Sequence, residues 1–490
     1  MYIRTLFILT IALLFLSITA KAQFDVNKNC LLAWEELMDL KFSKARSTIN
    51  KELKQNPTNY YAYYLEQCVD ALALVTNPSE ELYNDFVDDF DQRMEIIEEK
   101  DAASPYYLAC RSEMLLQMCI FNVLYGDKLS GVRKGYRAYK DTYNNREKFP
   151  DFEMSKKMDG FFNVAVSNMP SFVRWAATVF GVSGNAEKGV SILKNYYEEV
   201  KEIPGLNLDA AVFVILPYKL NKEPVKAYDF IKTLDTTLIN YKLINYFYIN
   251  TAYRSGRNEI AYRELMDFDL SDTEDQFLPY DYMMGKVLLR ELDSTAITYL
   301  QNYLRYTKND NYIKETFYNI ALYYLIYGSK EQFKYYKQMA FENGKAVNER
   351  DRETLYDSKL DYTPDVNLTR AKLLADGGYH KKAISELIAF EKTANTFLPY
   401  QLEYQLLKGR TLLANGNKKG AISAFNKVIE EGEDEDYYFA CEAALRLGWI
   451  YLANDKALAE DYFEKSIDLY HSDFYEYLEE IANRELKLLE

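Results

Sequence analysis

Histidine is nearly absent from this chain: its 490 residues include two, His380 and His471. A zinc-hydrolase helix needs two histidines four residues apart, and no such pair exists. Cysteine is sparse as well. Cys30, Cys68, Cys110, Cys119 and Cys441 are odd in number, scattered, and form no C-x-x-C, so no disulfide framework or metal knuckle is visible. Cys110 and Cys119 lie nine residues apart, on opposite faces of one helix at about 100° per residue. They cannot pair within it, and the thiols read as small buried core groups. Basic residues are outnumbered, 59 Lys and Arg against 74 Asp and Glu, for a formal net charge of −15. That balance argues against a nucleic-acid partner, which needs clustered Lys and Arg, and against a broad electrostatic grip on anionic lipid. Strand-type alternation is missing too.

What is present is an ordinary globular balance, 48% hydrophobic and 27% charged, with an unusual 45 tyrosines beside 3 tryptophans. A single core stops growing near about 250–300 residues, so the length implies several domains or a repeat array. The start of the chain reads as an address. After Arg4, Thr5 to Ala20 is an uncharged apolar run of 16 residues, short for a span of about 20. Ala20-Lys21-Ala22 then has the small-x-small form of a cleavage site. Residues 1–22 are therefore expected to be a signal peptide, leaving Gln23 first and the product periplasmic or secreted. The alternative is an uncleaved membrane anchor. No cysteine follows the run closely, which disfavours a lipoprotein, and no second span is evident.

The remainder is periodic. Gly409, Leu412, Gly416, Ala421, Phe425 and Val428 mark one unit; Ala371, Leu374, Gly378, Ala383, Leu387 and Phe390 fill its slots one unit earlier. Ala444, Leu447, Gly448, Tyr451, Ala459, Phe463 and Ser466 fill them one unit later. The slot alanines Ala383, Ala421 and Ala459 recur every 38 residues. This spacing resembles the tetratricopeptide repeat, in which small residues let two helices approach and large apolar ones fill the space between pairs. The small slot also recurs at Ala296, Ala261, Ala227, Gly189 and Ala45, with Phe333 in a degenerate unit. The expected fold is all-α: an α-solenoid, a right-handed superhelix of about ten helix pairs. Its expected organisation is a divergent helical array over 23–345, a polar connector over 346–363, and three clean repeats over 364–490.

Two further stretches, Cys119–Leu124 with Gly131–Lys140, and Gly160–Pro170 followed by Phe180–Asn185, Lys188–Val190 and Leu193, go beyond generic repeat marks. Over 119–197 the chain resembles the tetratricopeptide repeat domain 39 proteins and the related inclusion-body-clearance proteins. The resemblance implies an all-helical, non-enzymatic scaffold acting near a membrane or lipid store, with no catalytic residues to carry over. The chain departs from that family in its secretory signal and in Asn185, where an Asp is usual.

Two candidate sites follow. On the concave face of such repeats, the residue after the small first-helix slot is Lys286, Lys372, Arg410 and Trp449 in four units. This basic ladder could hold a carboxylate of a protein or peptide, with Trp449 as aromatic anchor; the plainer reading is a solvated groove. The second candidate is the apolar family segment, with Phe161, Phe162, Pro170, Trp175, Gly181 and Gly184. It reads either as a membrane-facing or partner-binding helix pair or as a pair buried at the centre of the solenoid. The acidic run Glu430–Asp436 lacks calcium-loop spacing and reads as a solvated loop. The tyrosine pairs read as inter-helix packing, with a carbohydrate-stacking surface as the alternative.

The expected function is a non-catalytic scaffold in the cell envelope that binds a protein or peptide partner, with no metal, cofactor or nucleic acid. The alternatives are a glycan- or lipid-binding module in outer-membrane uptake, peripherally membrane-associated, and a helical-toroid glycosidase, for which no acid pair stands out.

Overall fold

The computed structural model describes residues 24–98, 100–169, 181–270, 277–308, 310–346, 348–470 and 475–489. The expected signal peptide, and Pro170 and Trp175 of the apolar segment, lie outside the described residues. Within them every regular element is a helix, from Lys28–Met38 to Glu476–Leu489, and consecutive helices pack as pairs. The all-α helical-repeat expectation is thus met. No described helix is long and apolar enough to cross a membrane.

Local chemistry sets the helix ends. The first N–H groups of a helix have no partner inside it, and a short polar side chain just before the first turn supplies one. Ser79 does so for Leu82, Asp127 for Ser130, Asn417 for Gly420 and Asp455 for Leu458. Pro105, Pro224, Pro279 and Pro399 occupy first-turn positions, where a missing N–H costs nothing. Asn185 caps Ala186–Val200 by accepting from the Lys188 N–H, so it fills the capping role open to an Asp. At the far end of Val366–Asp376, Gly378 turns the chain with φ +84°; a Cβ there would lie 2.2 Å from the Gly256 carbonyl oxygen. Only glycine satisfies both demands.

The repeat slots explain the pairing. Ala45, Ala227, Ala261, Ala296, Ala383, Ala421 and Ala459 are all completely buried. A Cβ on Gly409 would sit 2.5 Å from the Phe425 ring, and one on Gly448 2.4 Å from Phe463. Each aromatic ring therefore occupies the space that a side chain on the facing helix would need.

The helices divide into two compact units. The first runs to Tyr246 and takes in Leu270. It includes the pairs Lys28–Met38 with Phe42–Gln55, Pro105–Leu124 with Lys128–Lys148, and Glu153–Ser167 with Ala186–Val200. Leu206–Leu220 packs against both Glu153–Ser167 and Lys28–Met38. Its core holds a fully buried ion triad: Lys157 Nζ lies 2.6 Å from Glu113 and 2.9 Å from Asp209, and 4.7 Å above the Phe213 ring.

The second unit comprises Phe247–Asp269 and the chain from Phe277 onward. Its pairs are Leu278–Arg290 with Ala296–Tyr306, Ile313–Tyr327 with Lys330–Glu342, Val366–Asp376 with His380–Glu391, Leu398–Ala414 with Lys418–Gly432, and Phe439–Tyr451 with Lys456–Asp468. The polar stretch 346–363 contains the helix Glu349–Lys359, which packs against both helices of the Ile313–Glu342 pair. That helix places an acidic side chain where the repeat pattern predicts none.

Candidate functional site

Leu278–Arg290, Ile313–Tyr327, Val366–Asp376, Leu398–Ala414 and Phe439–Tyr451 are the first helices of successive pairs, and each packs on the next. Residues four apart along a helix share a face. The series Tyr282/Lys286/Arg290, Lys372/Asp376, Glu403/Arg410 and Glu442/Arg446/Trp449 therefore lines one side of this row. It carries both signs of charge.

Two cations of the predicted ladder, Lys286 and Arg410, pair with acids of the chain itself. Lys286 Nζ pairs with Glu315 at 2.7 Å, donates to the Tyr282 hydroxyl at 2.8 Å, and lies over the Tyr253 ring. Arg410 pairs with Asp376 on the neighbouring first helix. Burial alone would raise the Asp376 pKa, but Arg410, Lys372 and Arg290 together hold it well below the usual carboxylate range. Arg290 stacks on Tyr253 with its guanidinium carbon 3.5 Å from the ring centre. Glu442 accepts from Arg446 at 2.8 Å. Trp449 is exposed at the edge of the row.

Lys372 differs from the rest. It lines a cavity of about 70 Å³ whose walls include Tyr318, Tyr356, Tyr362, Tyr437 and Tyr438, together with Asp357 and Glu403. Asp357 accepts from the Tyr475 hydroxyl at 2.9 Å. Lys372 and Glu403 make no direct hydrogen bond or ion pair with any described residue, although each feels the other's field. Burial would lower the Lys372 pKa, but attraction to Asp376, Asp357 and Glu403 raises it, so it is charged at neutral pH. Burial pushes Glu403 up to about 7; Lys372 opposes the shift, and Asp357 and Asp365 reinforce it. Burial also raises Asp357. Two carboxyl groups and one ammonium thus line a wall of tyrosines, with Lys337 acting on Asp357 and Arg410 on Glu403 from outside it; acids beside aromatic rings can accept a cation.

The structure brings one of the four ladder residues, Lys372, into this cavity; Lys286, Arg410 and Trp449 lie elsewhere along the row. Sequence reasoning missed Glu403, which precedes Arg410 by two turns on the same face, a spacing available in the sequence. Asp357 carried no such signal, because it belongs to a segment outside the repeat register.

In the apolar segment, Phe161 packs edge-on against Phe213 and Phe162 against Tyr139, both pairs with ring centres 5.7 Å apart. Both phenylalanines are buried. Gly181 turns the chain at φ +76°. Gly184 lies so close to Glu153–Ser167 that a Cβ would come within 2.5 Å of the Asn163 carbonyl oxygen. Phe161 and Phe162 are thus packed core rather than membrane-facing, whereas Gly181 is exposed. All five cysteines are free thiols, four of them buried. Among the described residues, no group of His, Cys, Asp and Glu is arranged to hold a metal.

No known family profile and no curated relative matches the chain. Several solved structures are similar to it at low identity. The human IFIT1 dimer with m7Gppp-AAAA is 12% identical, with 91% of this chain and 96% of that one covered at a TM-score of 0.32. The Cut9–Hcn1 hetero-tetramer of the APC/C is 13% identical, with 94% and 96% covered at 0.28. The P58(IPK) TPR domain is 13% identical, with 88% and 99% covered at 0.21. The slot packing of the chain itself, glycine or alanine of one helix against the ring or methyls of its pair, defines a tetratricopeptide-like helical repeat protein.

Proposed function

We propose that this protein is a non-catalytic helical-repeat adaptor. It is exported by cleavage after Ala22 to a periplasmic or secreted location, and it holds a protein or peptide on the face bearing Lys286, Lys372, Arg410 and Trp449. The observation that carries the reading is the tyrosine-walled cavity whose charged lining is Glu403, Asp357 and Lys372. Lys286 and Arg410 already have internal carboxylates, and the cavity is lined by two acids and one lysine, so with Glu403 ionised the charge left for a ligand there is negative. The group that docks there is accordingly a Lys or Arg side chain of the partner, its methylenes against tyrosine rings and its cation beside Glu403. Kinship with the tetratricopeptide repeat domain 39 proteins is part of the same proposal and rests on residues 119–197.

The test is fluorescence polarisation with a panel of short peptides carrying a central Lys, Arg, norleucine or Glu. Binding of Lys or Arg peptides, lost in Glu403→Gln and absent for norleucine, supports the site. Equal binding of norleucine and Lys peptides removes it. Binding of oligosaccharides that depends on Tyr362 and Tyr437 would instead favour the glycan-binding alternative.

A further inference from the structure

Among the described residues, several of the most exposed aliphatic side chains lie at one end of the first unit. Val75, Leu124, Leu129 and Val132 are each 58–63% exposed, and Ile120 and Val123 add to them. Three contacts bring the chain segments together there. The Tyr83 and Tyr125 rings stack at 4.1 Å, the Tyr125 hydroxyl donates to the Ser79 carbonyl at 3.1 Å, and Gly131 lets Lys128–Lys148 close onto Val123. Scattered apolar residues on a surface need no explanation, whereas a contiguous group of this kind marks a contact face.

The rim of this face carries both signs of charge, on separate helices. Glu80–Ile97 has seven acidic residues and one basic, and Glu80, Glu81 and Asp85 in its first two turns are exposed. Lys128–Lys148 has seven basic residues and two acidic, and Lys128 and Arg133 in its first two turns are exposed. The apolar end of Pro105–Leu124 belongs to the same group. A two-fold rotation about an axis through that apolar centre exchanges the acidic rim of one copy with the basic rim of the other and buries apolar against apolar. An anionic bilayer would meet Glu80, Glu81 and Asp85 as like charges. Three helix ends with their adjoining turns, each about 10 Å wide, offer on the order of 600 Å², close to the ~800 Å² one partner contributes to a stable interface.

We propose that this end of the first unit is the contact face of a two-fold homodimer, apolar at its axis and cross-paired in charge at its rim. The arrangement is independent of the peptide site, which lies in the other unit.

The experiment is sedimentation equilibrium of the mature full-length chain across a concentration and salt series. The expected result is a dimer that weakens as salt rises. Leu129→Glu with Val132→Glu should sediment as monomer with an unchanged helical circular-dichroism spectrum. The decisive arm uses charge reversal. Glu81→Lys/Asp85→Lys alone and Lys128→Glu/Arg133→Glu alone should each dimerise at least about tenfold more weakly, and their mixture should restore the dimer. A wild-type chain that stays monomeric at all concentrations overturns the proposal, as does a dimer indifferent to these substitutions. Flotation of a monomeric wild type with phosphatidylglycerol vesicles would overturn it in favour of a membrane.

Discussion

Replacing Lys157 by Met removes the only cation of the triad in the first unit's core. Lys157 is 1% exposed at its side chain, and its partners Glu113 and Asp209 are nearly as buried. With the ammonium gone, two carboxylates remain in a site enclosed by Tyr64, Tyr196 and Phe213. Breaking a buried ion pair by deleting one partner costs about 3–5 kcal/mol, because the other charge is left without compensation. Against a total stability of about 5–15 kcal/mol for a domain, that is a large fraction. The loss should depend on pH in a definite sense. Burial already raises Asp209 to about 6 in the intact triad, even though Lys157 pulls it down and Glu113 pushes it up. A carboxyl group with a raised folded-state pKa contributes fully to stability below its unfolded value, and the contribution is lost as pH rises through the folded value. Without Lys157 the raised pKa moves higher still. Lys157→Met should therefore be destabilised by about 3–5 kcal/mol near pH 8 and by much less near pH 5, where Asp209 takes up a proton.

The assay is urea unfolding followed by Trp34 fluorescence, with Trp175 and Trp449 changed to Phe. Trp34 reports on this unit because its indole N–H donates to the Tyr61 hydroxyl at 3.0 Å. Lys157→Met/Glu113→Gln/Asp209→Asn should recover most of the loss, since it removes the stranded charges. A loss below about 1 kcal/mol at pH 8, or one that does not change between pH 5 and pH 8, would refute the reasoning.

Other outcomes are expected. Gly448→Ala places a methyl 2.4 Å from the Phe463 ring and should cost about 1–3 kcal/mol by overpacking, with Phe463→Leu restoring part of it; thermal melts of the single and double variants measure this. Affinity for a Lys-bearing peptide should rise with pH through about 7 as Glu403 ionises, with a proton released on binding below that pH, and Glu403→Gln should flatten the profile. Isothermal titration in buffers of different ionisation enthalpy reads the proton. N-terminal sequencing of the protein from its native host should begin at Gln23, and a chain beginning at Met1 would favour the anchor.

The repeat is legible along the chain. Small residues at Ala383, Ala421 and Ala459 and large apolar ones at Leu387, Phe425 and Phe463 form a one-dimensional pattern, because each helix pair contacts mainly its neighbours and must bury the same slots every time. All six are buried in the folded chain. The site was only partly legible. Lys372 could be placed on the right face from its position after Ala371, but the sign of the site depends on what faces that lysine across space. Glu403 comes from the next first helix, Asp357 from a helix outside the register, and Tyr318 from the pair before. Likewise Lys157, Glu113 and Asp209 come from three helices, and nothing in their spacing announces that they meet. Charge compensation in a low-dielectric interior is set by distances of about 3 Å between residues far apart in the chain, so where the protein is neutral and where it is left negative follows from the packing of its helices.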